Sequence, residues 1–353
     1  MTDAYRAAGV DIDAAARAVD SYRQAVGPER DERVLQGIGG FAGCFALRGY
    51  RDAVLVASCD GVGTKVLIAA QLGRYESIGK DLVHHCINDV LCSNAEALFF
   101  LDYLAMGKLT PALATEIVKG VAHACRQNGV ALLGGETAEM PDVYAETGFD
   151  LAGTLVGAVE RDELVDVSQV GAGDLVIGLP SNGLHTNGYS LARAMLPVSE
   201  WGDALPGAAH PMTVGDALLA VHPCYAPCIR AMQASGARIK SMAHITGGGI
   251  FENLPRALPD HLAARLQLDR LTVPPIVQLV ATAAHLHRQE SYRVLNMGVG
   301  FCCVLAPQDA QRGLEAARQA CERDPIEAVG GGRAEIIGEI EPRHPCGPSV
   351  IID

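Results

Sequence analysis

The sequence predicts an α/β chain of intermixed α+β character, folded as two domains of mixed sheets with flanking helices. Three observations lead there. Short aliphatic, β-branched runs alternate with segments of helical periodicity from end to end. Several of those runs finish in glycine-rich loops that open onto a helix. The length of 353 residues exceeds what one hydrophobic core usually supports.

Taken in order, apolar Ala16, Val19 and Tyr22 predict a helix over 13–25 that stops at Gly27-Pro28. The loop Gly37-Ile-Gly-Gly-Phe-Ala-Gly43 follows, then a strand over 53–57 with Asp60-Gly-Val-Gly-Thr-Lys65 directly behind it. Residues 78–95 read as a polar-interrupted helix, and the continuous apolar run 98–105 as a strand. Thr110 and Pro111 suit a helix cap and first helical position, and Asn128-Gly129 suits its end. A buried strand over 130–133 then delivers Gly134-Gly-Glu-Thr-Ala-Glu-Met140, with a further strand over 150–159. Polar, glycine-punctuated sequence over 160–174 separates a first domain, 1–165, from a second, 170–353.

The second domain repeats the style. A strand over 175–179 ends in Ser181-Asn-Gly-Leu-His-Thr-Asn-Gly188, and helices follow over 189–196 and 214–235. Residues 237–243 lead into His244-Ile-Thr-Gly-Gly-Gly249 and a short helix over 251–256. Strands near Leu266 and Phe301, a helix over 308–321 and a strand over 334–340 complete the pattern. Strand direction stays open at this level.

Composition removes several classes of function. With 49 % hydrophobic and 20 % charged residues the chain is neither disordered nor fibrous. A formal charge of −13 opposes broad nucleic-acid binding, so any phosphate site has to be organised locally by backbone N–H groups, helix ends, metal ions and a few cations. No apolar run has membrane-spanning length, and the start MTDAYRAAGVDID lacks the regions of a signal peptide, so a cytoplasmic location is expected. The 11 cysteines contain no C-x-x-C pair and read mostly as reduced core residues.

Asp60, on a turn behind a strand, and Asp89, in a helical stretch, offer the hard oxygen donors that magnesium prefers beside nucleotide phosphates, with Asn88 in support. A turn aspartate beside two glycines is the plain alternative for Asp60, but Gly63, Thr64 and Lys65 add flexible backbone, a hydroxyl and a cation within six residues. The segment is not a Walker A loop, which the chain lacks. Gly37, Gly39 and Ala42 match G-x-G-x-x-A, but without a clear preceding strand or a long following helix the loop, Gly40 included, reads as a phosphate-covering flap.

Glu136 and Glu139 beside Gly134-Gly135 suit a metal shell or a substrate contact, or simply acids at a helix start. His185, with Thr186 and Asn187, sits at a strand-to-helix junction able to grip a phosphate, or is an ordinary loop histidine. Thr246, Gly247, Gly248 and Gly249 form a second anion nest or a merely flexible loop. His84-His85-Cys86 and Cys224-x-x-x-Cys228 lack a full zinc ligand set and are read as helix surface and core, and Cys302-Cys303 as core.

Together, Gly37-Ile-Gly-Gly-Phe41, Asp60-Gly-Val-Gly-Thr-Lys65, Asn88-Asp89, Gly134-Gly-Glu-Thr-Ala-Glu-Met-Pro141, His185-Thr-Asn-Gly-Tyr-Ser190, Thr246-Gly-Gly-Gly249 and Asn296-Met-Gly-Val-Gly300 resemble the AIR synthetase (phosphoribosylformylglycinamidine cyclo-ligase) family. Gly9-Val-Asp-Ile-Asp13 and Tyr292-Arg293 extend the likeness over nearly the whole chain, while His84-His85 and Asp142 depart from it without touching a presumed ligand. The resemblance implies a two-domain AIR-synthetase-like fold and ATP-dependent conversion of formylglycinamidine ribonucleotide to aminoimidazole ribonucleotide, ADP and phosphate.

It further implies a magnesium requirement and a homodimer joined through the sheets of the first domains. Asp60 and Asp89, with Glu136 and Asp150 nearby, would hold the metal, and Lys65 would neutralise the transferred phosphoryl group. His185, Thr186 and Asn187 would orient the substrate or stabilise the phosphorylated intermediate, and Thr246 to Gly249 would hold a phosphate. Selenophosphate synthetases and thiamine-monophosphate kinases are the rival relatives, and a nucleotide binder without turnover is the rival of another class.

Overall fold

The structure, a computed structural model, describes residues 12–26, 31–323 and 332–353. The expected stop at Gly27-Pro28 and positions 9–11 of the first motif lie outside the described residues. The chain divides into two compact units, Met1–Val90 with Ala95–Glu163, and Leu91–Asn94 with Leu164–Asp353.

In the first unit, helix α1 (Ile12–Val26) precedes a ribbon of β1 (Val34–Gln36) and β2 (Cys44–Phe45), which are antiparallel and flank the Gly37 loop. Strand β3 (Ala53–Gly61) leads to α2 (Lys65–Leu72) and α3 (Glu76–Leu91), then come β4 (Glu96–Met106), α4 (Pro111–Asn128), β5 (Ala131–Glu139) and β6 (Phe149–Glu160). The sheet order is β3-β6-β4-β5, with only β4 and β5 parallel.

Pro111 opens α4 as expected, and Gly129 closes it in the left-handed region with its N–H on the carbonyls of Arg126 and Cys125. β5 departs from the expected short strand. It runs on through the glycine motif, because pairing with β4 continues to Met106 and Glu139, so Glu136 and Glu139 are strand residues and not helix-start acids.

One face of this sheet is covered. Leu104, Leu151 and Leu155 are fully buried there, and Leu82 of α3 and Phe100 fill the space above Gly153. On the other face Leu55 is 62 % and Tyr103 38 % exposed. With Phe99, Leu101, Leu133 and Val156, Leu55 lines an apolar groove of ≈ 760 Å³ that the Gly37–Gly43 loop borders.

In the second unit β7 (Leu175–Pro180) is followed by α5 (Tyr189–Met195), α6 (Val214–Leu218), α7 (Ala226–Ala234), β8 (Ile239–His244), α8 (Gly249–Asn253) and β9 (Leu262–Leu266). Helices α9 (Pro275–Ala283) and α10 (Arg288–Val294), β10 (Val299–Leu305), α11 (Pro307–Arg323), β11 (Glu335–Pro342) and β12 (Val350–Ile352) complete it. The six-stranded sheet runs β12-β9-β11-β7-β10-β8 and is antiparallel except at β12–β9.

The single helix expected over 214–235 is two helices, α6 and α7, with an irregular segment between them. Pro223 has no N–H to donate and disfavours helical geometry at His222, which explains the break. Helices α2, α9 and α10 and strand β12 carried no signal that we read from the sequence.

Close helix packing in the first unit rests on two glycines. A methyl group at Gly79 of α3 would strike the Ile117 carbonyl of α4, and one at Gly120 of α4 would strike the Glu76 carbonyl. Both obstructions are backbone, so neither can swing aside. Gly120→Ala is expected to cost about 1–3 kcal/mol of stability by forcing α3 and α4 apart, read as a lower urea midpoint at unchanged slope. An unchanged midpoint would contradict this account of the packing.

Candidate active site

In the first unit the chemistry gathers along one stripe of α3. Asp81, His85 and Asp89 are spaced four residues apart, so they lie one above another on the same side of the helix. Each meets a different partner. Asp81 pairs with Lys65 of α2 at 2.6 Å, His85 Nε2 stands 2.7 Å from Asp60 Oδ2 of β3, and Asp89 accepts a hydrogen bond from Ser58 Oγ at 2.9 Å.

Asp60 closes the β3 end of this seam. Its Oδ1 accepts from the Gly61 N–H at 2.7 Å, and its side chain is 43 % exposed. Burial raises its pKa, but the hydrogen bond and charge of His85 with the Gly61 N–H outweigh burial and hold the carboxyl below its ordinary value. For His85, burial opposes the imidazolium, yet Asp60, Asp89 and Asp81 together raise its pKa. His85 thus bridges two acids, Asp60 at 2.7 Å and Asp89 at 3.9 Å.

This corrects the reading of His85 as helix packing that touches no presumed ligand. The usable signal was its i, i+4 spacing to Asp89, and what the sequence alone lacks is the register of β3 against α3.

Lys65 also departs from expectation. Both Lys65 and Asp81 are 0 % exposed, so the ammonium is turned into the core and not toward a phosphate. Burial pushes its pKa down, and the charge and hydrogen bond of Asp81 oppose that shift without cancelling it. Thr64 stands at the N-cap of α2, and Gly63 before it has φ 55°.

The four expected metal ligands do not form one group. Register pairs Asp60 with Gly153 on the helix-covered face, whereas Asp150 pairs with Ala105 and Glu136 with Tyr103 at alternate positions belonging to the other face. Asp150 accepts from the Leu151 N–H at 2.9 Å, and Glu139 from the Leu109 N–H at 2.7 Å. Beside Gly135, burial pushes the Asp102 carboxyl of β4 up to about 7.

Asp60 and Asp89 are partly exposed, adjacent and made of hard oxygen donors, with buried Asn88 on the same helix turn. That set suits magnesium, which takes one or two carboxylates and fills its remaining positions with water and phosphate oxygens. Gly37, Gly39 and Gly40 lie apart from it, in the loop between β1 and β2 at the apolar groove.

In the second unit topology brings the remaining motifs together. β7 and β8 both run antiparallel to β10, one on each side, so their C-terminal ends emerge at the same edge beside the start of β10. The loop after β7 carries His185, Thr186 and Asn187, and the loop after β8 carries Thr246 to Gly249. Asn187 Oδ1 lies 3.2 Å from where a Cβ on Gly247 would sit, so the two loops meet there.

The Asn296–Gly300 segment braces the β7 loop. Asn296 Oδ1 accepts from Ser181 Oγ at 2.8 Å and from the Gly298 N–H at 3.1 Å, while its Nδ2 donates to the Gly183 carbonyl at 2.7 Å. Asn253 Nδ2 donates to the Gly247 and Gly249 carbonyls at 3.0 and 2.8 Å, which fixes the triple-glycine turn.

His185 is buried and has φ 65°, a backbone state unusual for any residue but glycine. Its ring stacks on His222 at 4.2 Å, and His222 Nε2 is 3.0 Å from His244 Nε2. Tyr225, whose hydroxyl donates to the Pro180 carbonyl at 2.8 Å, has its ring 6.4 Å from that of His185. A methyl group at Gly300 would strike both the Tyr225 hydroxyl and the His185 ring, so only glycine admits this arrangement. His222, His244 and Tyr225 were not singled out from the sequence, since nothing local marks three scattered residues as neighbours.

The buried ion pair gives a test that separates a structural lysine from a phosphate ligand. Lys65→Met is expected to cost roughly 3–5 kcal/mol by leaving Asp81 charged and alone, and adding Asp81→Leu should recover much of it. Full stability of Lys65→Met in chemical denaturation would refute the core role.

Comparison with known proteins agrees with both halves. Residues 40–159 match the family described as AIR synthase related protein, N-terminal domain, and residues 171–346 its C-terminal domain. The phosphoribosylformylglycinamidine cyclo-ligase of Anaeromyxobacter sp. (strain Fw109-5) is 46 % identical over 347 residues, covering 97 % of this chain and 96 % of the relative. That of Desulfitobacterium hafniense (strain DSM 10664 / DCB-2) is 44 % identical over 326 residues, covering 91 % and 95 %. Among solved structures, a hydrogenase maturation protein HypE in complex with ATP superposes with a TM-score of 0.65 at 16 % identity, covering 96 % of this chain and 90 % of that one, a likeness of fold alone. Identity at this level along almost the whole of both chains makes this protein a member of the phosphoribosylformylglycinamidine cyclo-ligase family.

Proposed function

We propose that the protein closes the imidazole ring of formylglycinamidine ribonucleotide at the expense of ATP, yielding aminoimidazole ribonucleotide, ADP and phosphate, in purine biosynthesis. The observation that carries this reading is full-length identity above 40 % to cyclo-ligases, joined to an acid pair in the first unit and two glycine-rich loops in the second. The formyl oxygen attacks the γ-phosphate, the amidine nitrogen closes on the activated carbon, and phosphate departs. Phosphorylation makes a poor oxygen leaving group a good one, and the protein contributes positioning and charge neutralisation.

Asp60 and Asp89 hold magnesium, which when bound supplies charge neutralisation at the phosphates. His85 fixes the rotamer of Asp60 by its 2.7 Å contact and keeps that carboxylate ionised. His185, locked between His222, Tyr225 and the backbone at Gly300, orients the substrate with Thr186 and Asn187. The Thr246–Gly249 turn receives a phosphate through its backbone N–H groups. Lys65 acts from within, by tying α2 to α3 so that the Asp60–Lys65 segment keeps its course.

The open sheet face of the first unit is the proposed homodimer surface. Its exposed Leu55 and the apolar groove around Leu101 and Val156 are what a second copy would bury. Among the described residues no helix is long and apolar enough to cross a membrane. The cytoplasm is the proposed location because the substrates are phosphorylated, membrane-impermeant metabolites.

Following phosphate release and aminoimidazole ribonucleotide in one sample with ATP and magnesium tests the reading directly, and matched amounts of both products are expected. Phosphate without the imidazole would move the protein to a related kinase or synthetase activity, and ADP binding without turnover to a non-catalytic role. Asp60→Asn should remove most turnover while leaving the unfolding midpoint near that of the parent. For the dimer, Leu55→Lys is expected to halve the mass seen by analytical ultracentrifugation, and a parent protein that already sediments as a monomer would remove the proposal.

A further inference from the structure

Away from the loops assigned to the reaction, the second unit joins two thiols that are 93 positions apart in sequence. Cys228 lies on α7 and Cys321 in the last turn of α11, and these helices pack against each other. Their Sγ atoms stand 3.3 Å apart. A disulfide needs a separation of about 2.0 Å, so a small side-chain movement closes the gap. Cys228 thus meets, besides its neighbour in the Cys224-x-x-x-Cys228 motif, a sulfur delivered by a distant helix.

The two thiols are not equivalent. Cys228 is buried and Cys321 half-buried, so Cys321 is the one a reagent in solvent can reach. The two Sγ atoms share a hydrogen bond in which either thiol can donate. A partly exposed thiol beside a buried second one is the arrangement of an attacking and a resolving cysteine.

We propose that Cys228 and Cys321 form a thiol-oxidation site that closes into an intramolecular disulfide on reaction with a low-molecular-mass disulfide. The Cys321 thiolate attacks one sulfur of the reagent, breaking its S–S bond, forming a mixed disulfide and expelling one thiolate. Cys228 then gives its proton to the expelled thiolate and attacks the Cys321 sulfur, releasing a second thiolate that takes up the proton Cys321 lost on ionising. Two protein thiols and one disulfide become one protein disulfide and two free thiols, with two electrons passed to the reagent. The bond staples α7 to α11 and closes a long loop, which constrains the unfolded chain. Neither helix carries a residue assigned to the reaction.

The test uses the full chain, reduced, desalted and incubated with oxidised glutathione, then alkylated, digested and analysed by mass spectrometry. The expected result is a peptide pair linked through Cys228 and Cys321, reversed by dithiothreitol, with a raised thermal midpoint in the oxidised protein. Cys228→Ser should stop at a stable glutathione adduct on Cys321, and Cys321→Ser should leave Cys228 unmodified; each variant's fold is checked by circular dichroism. Both thiols alkylating as readily after treatment as before would overturn the proposal. So would a lasting adduct on Cys321 in the parent protein, or a cross-link from Cys228 to Cys224, Cys302 or Cys303.

Discussion

Three charged or polar contacts along α3 hold the first unit in its working form. Asp81, His85 and Asp89 each meet a partner delivered by β3 or α2, and the interval of four residues on the helix matches the advance of the opposing chain from Ser58 through Asp60 to Lys65. The contacts differ in environment. At one end the Lys65–Asp81 pair is sealed from water, where a lone charge would be severely penalised, so each partner requires the other. At the other end Asp60 and Asp89 stay open to solvent, where a cation with its own water and phosphate ligands can be accepted. A single helical stripe therefore passes from a sealed ion pair to solvent-accessible acids over two turns.

The second unit reaches its arrangement by topology instead of by charge. Placing β10 between β7 and β8, antiparallel to both, puts two loop exits side by side, and the backbone segment that begins β10 fills the gap between them. Asn296 satisfies two backbone groups at once, and Gly300 leaves room for His185 against Tyr225. The left-handed backbone at His185 is tolerated because its surroundings overdetermine it. Precision here comes from packing and from hydrogen bonds to main chain, which suits binding of anionic groups by a chain of strongly negative net charge.

Glycine does different work in the two units. Between α3 and α4, Gly79 and Gly120 let the two helix backbones approach. In the second unit Gly300 makes space for an aromatic hydroxyl and an imidazole. Both functions concern what cannot be present, and neither leaves a periodic trace in the sequence.

Much was legible beforehand. Alternating strand and helix signals, the cap at Thr110-Pro111 and the stop at Gly129 are local effects, written in residues adjacent in sequence, and motif order was enough to indicate the family. Local patterns also marked Asp60, Asp89, His185 and the Thr246–Gly249 turn as candidates. The sequence by itself determined which segments fold locally and which residue types could meet phosphate and metal. Tertiary structure alone decided that Lys65 faces Asp81, that His85 reaches Asp60, that Glu136 and Asp150 leave the Asp60 face, and that His222, His244 and Tyr225 surround His185. Those outcomes depend on strand register, on the break at Pro223 and on which distant elements pack together, and long-range pairing of that kind is not encoded in any one stretch of chain.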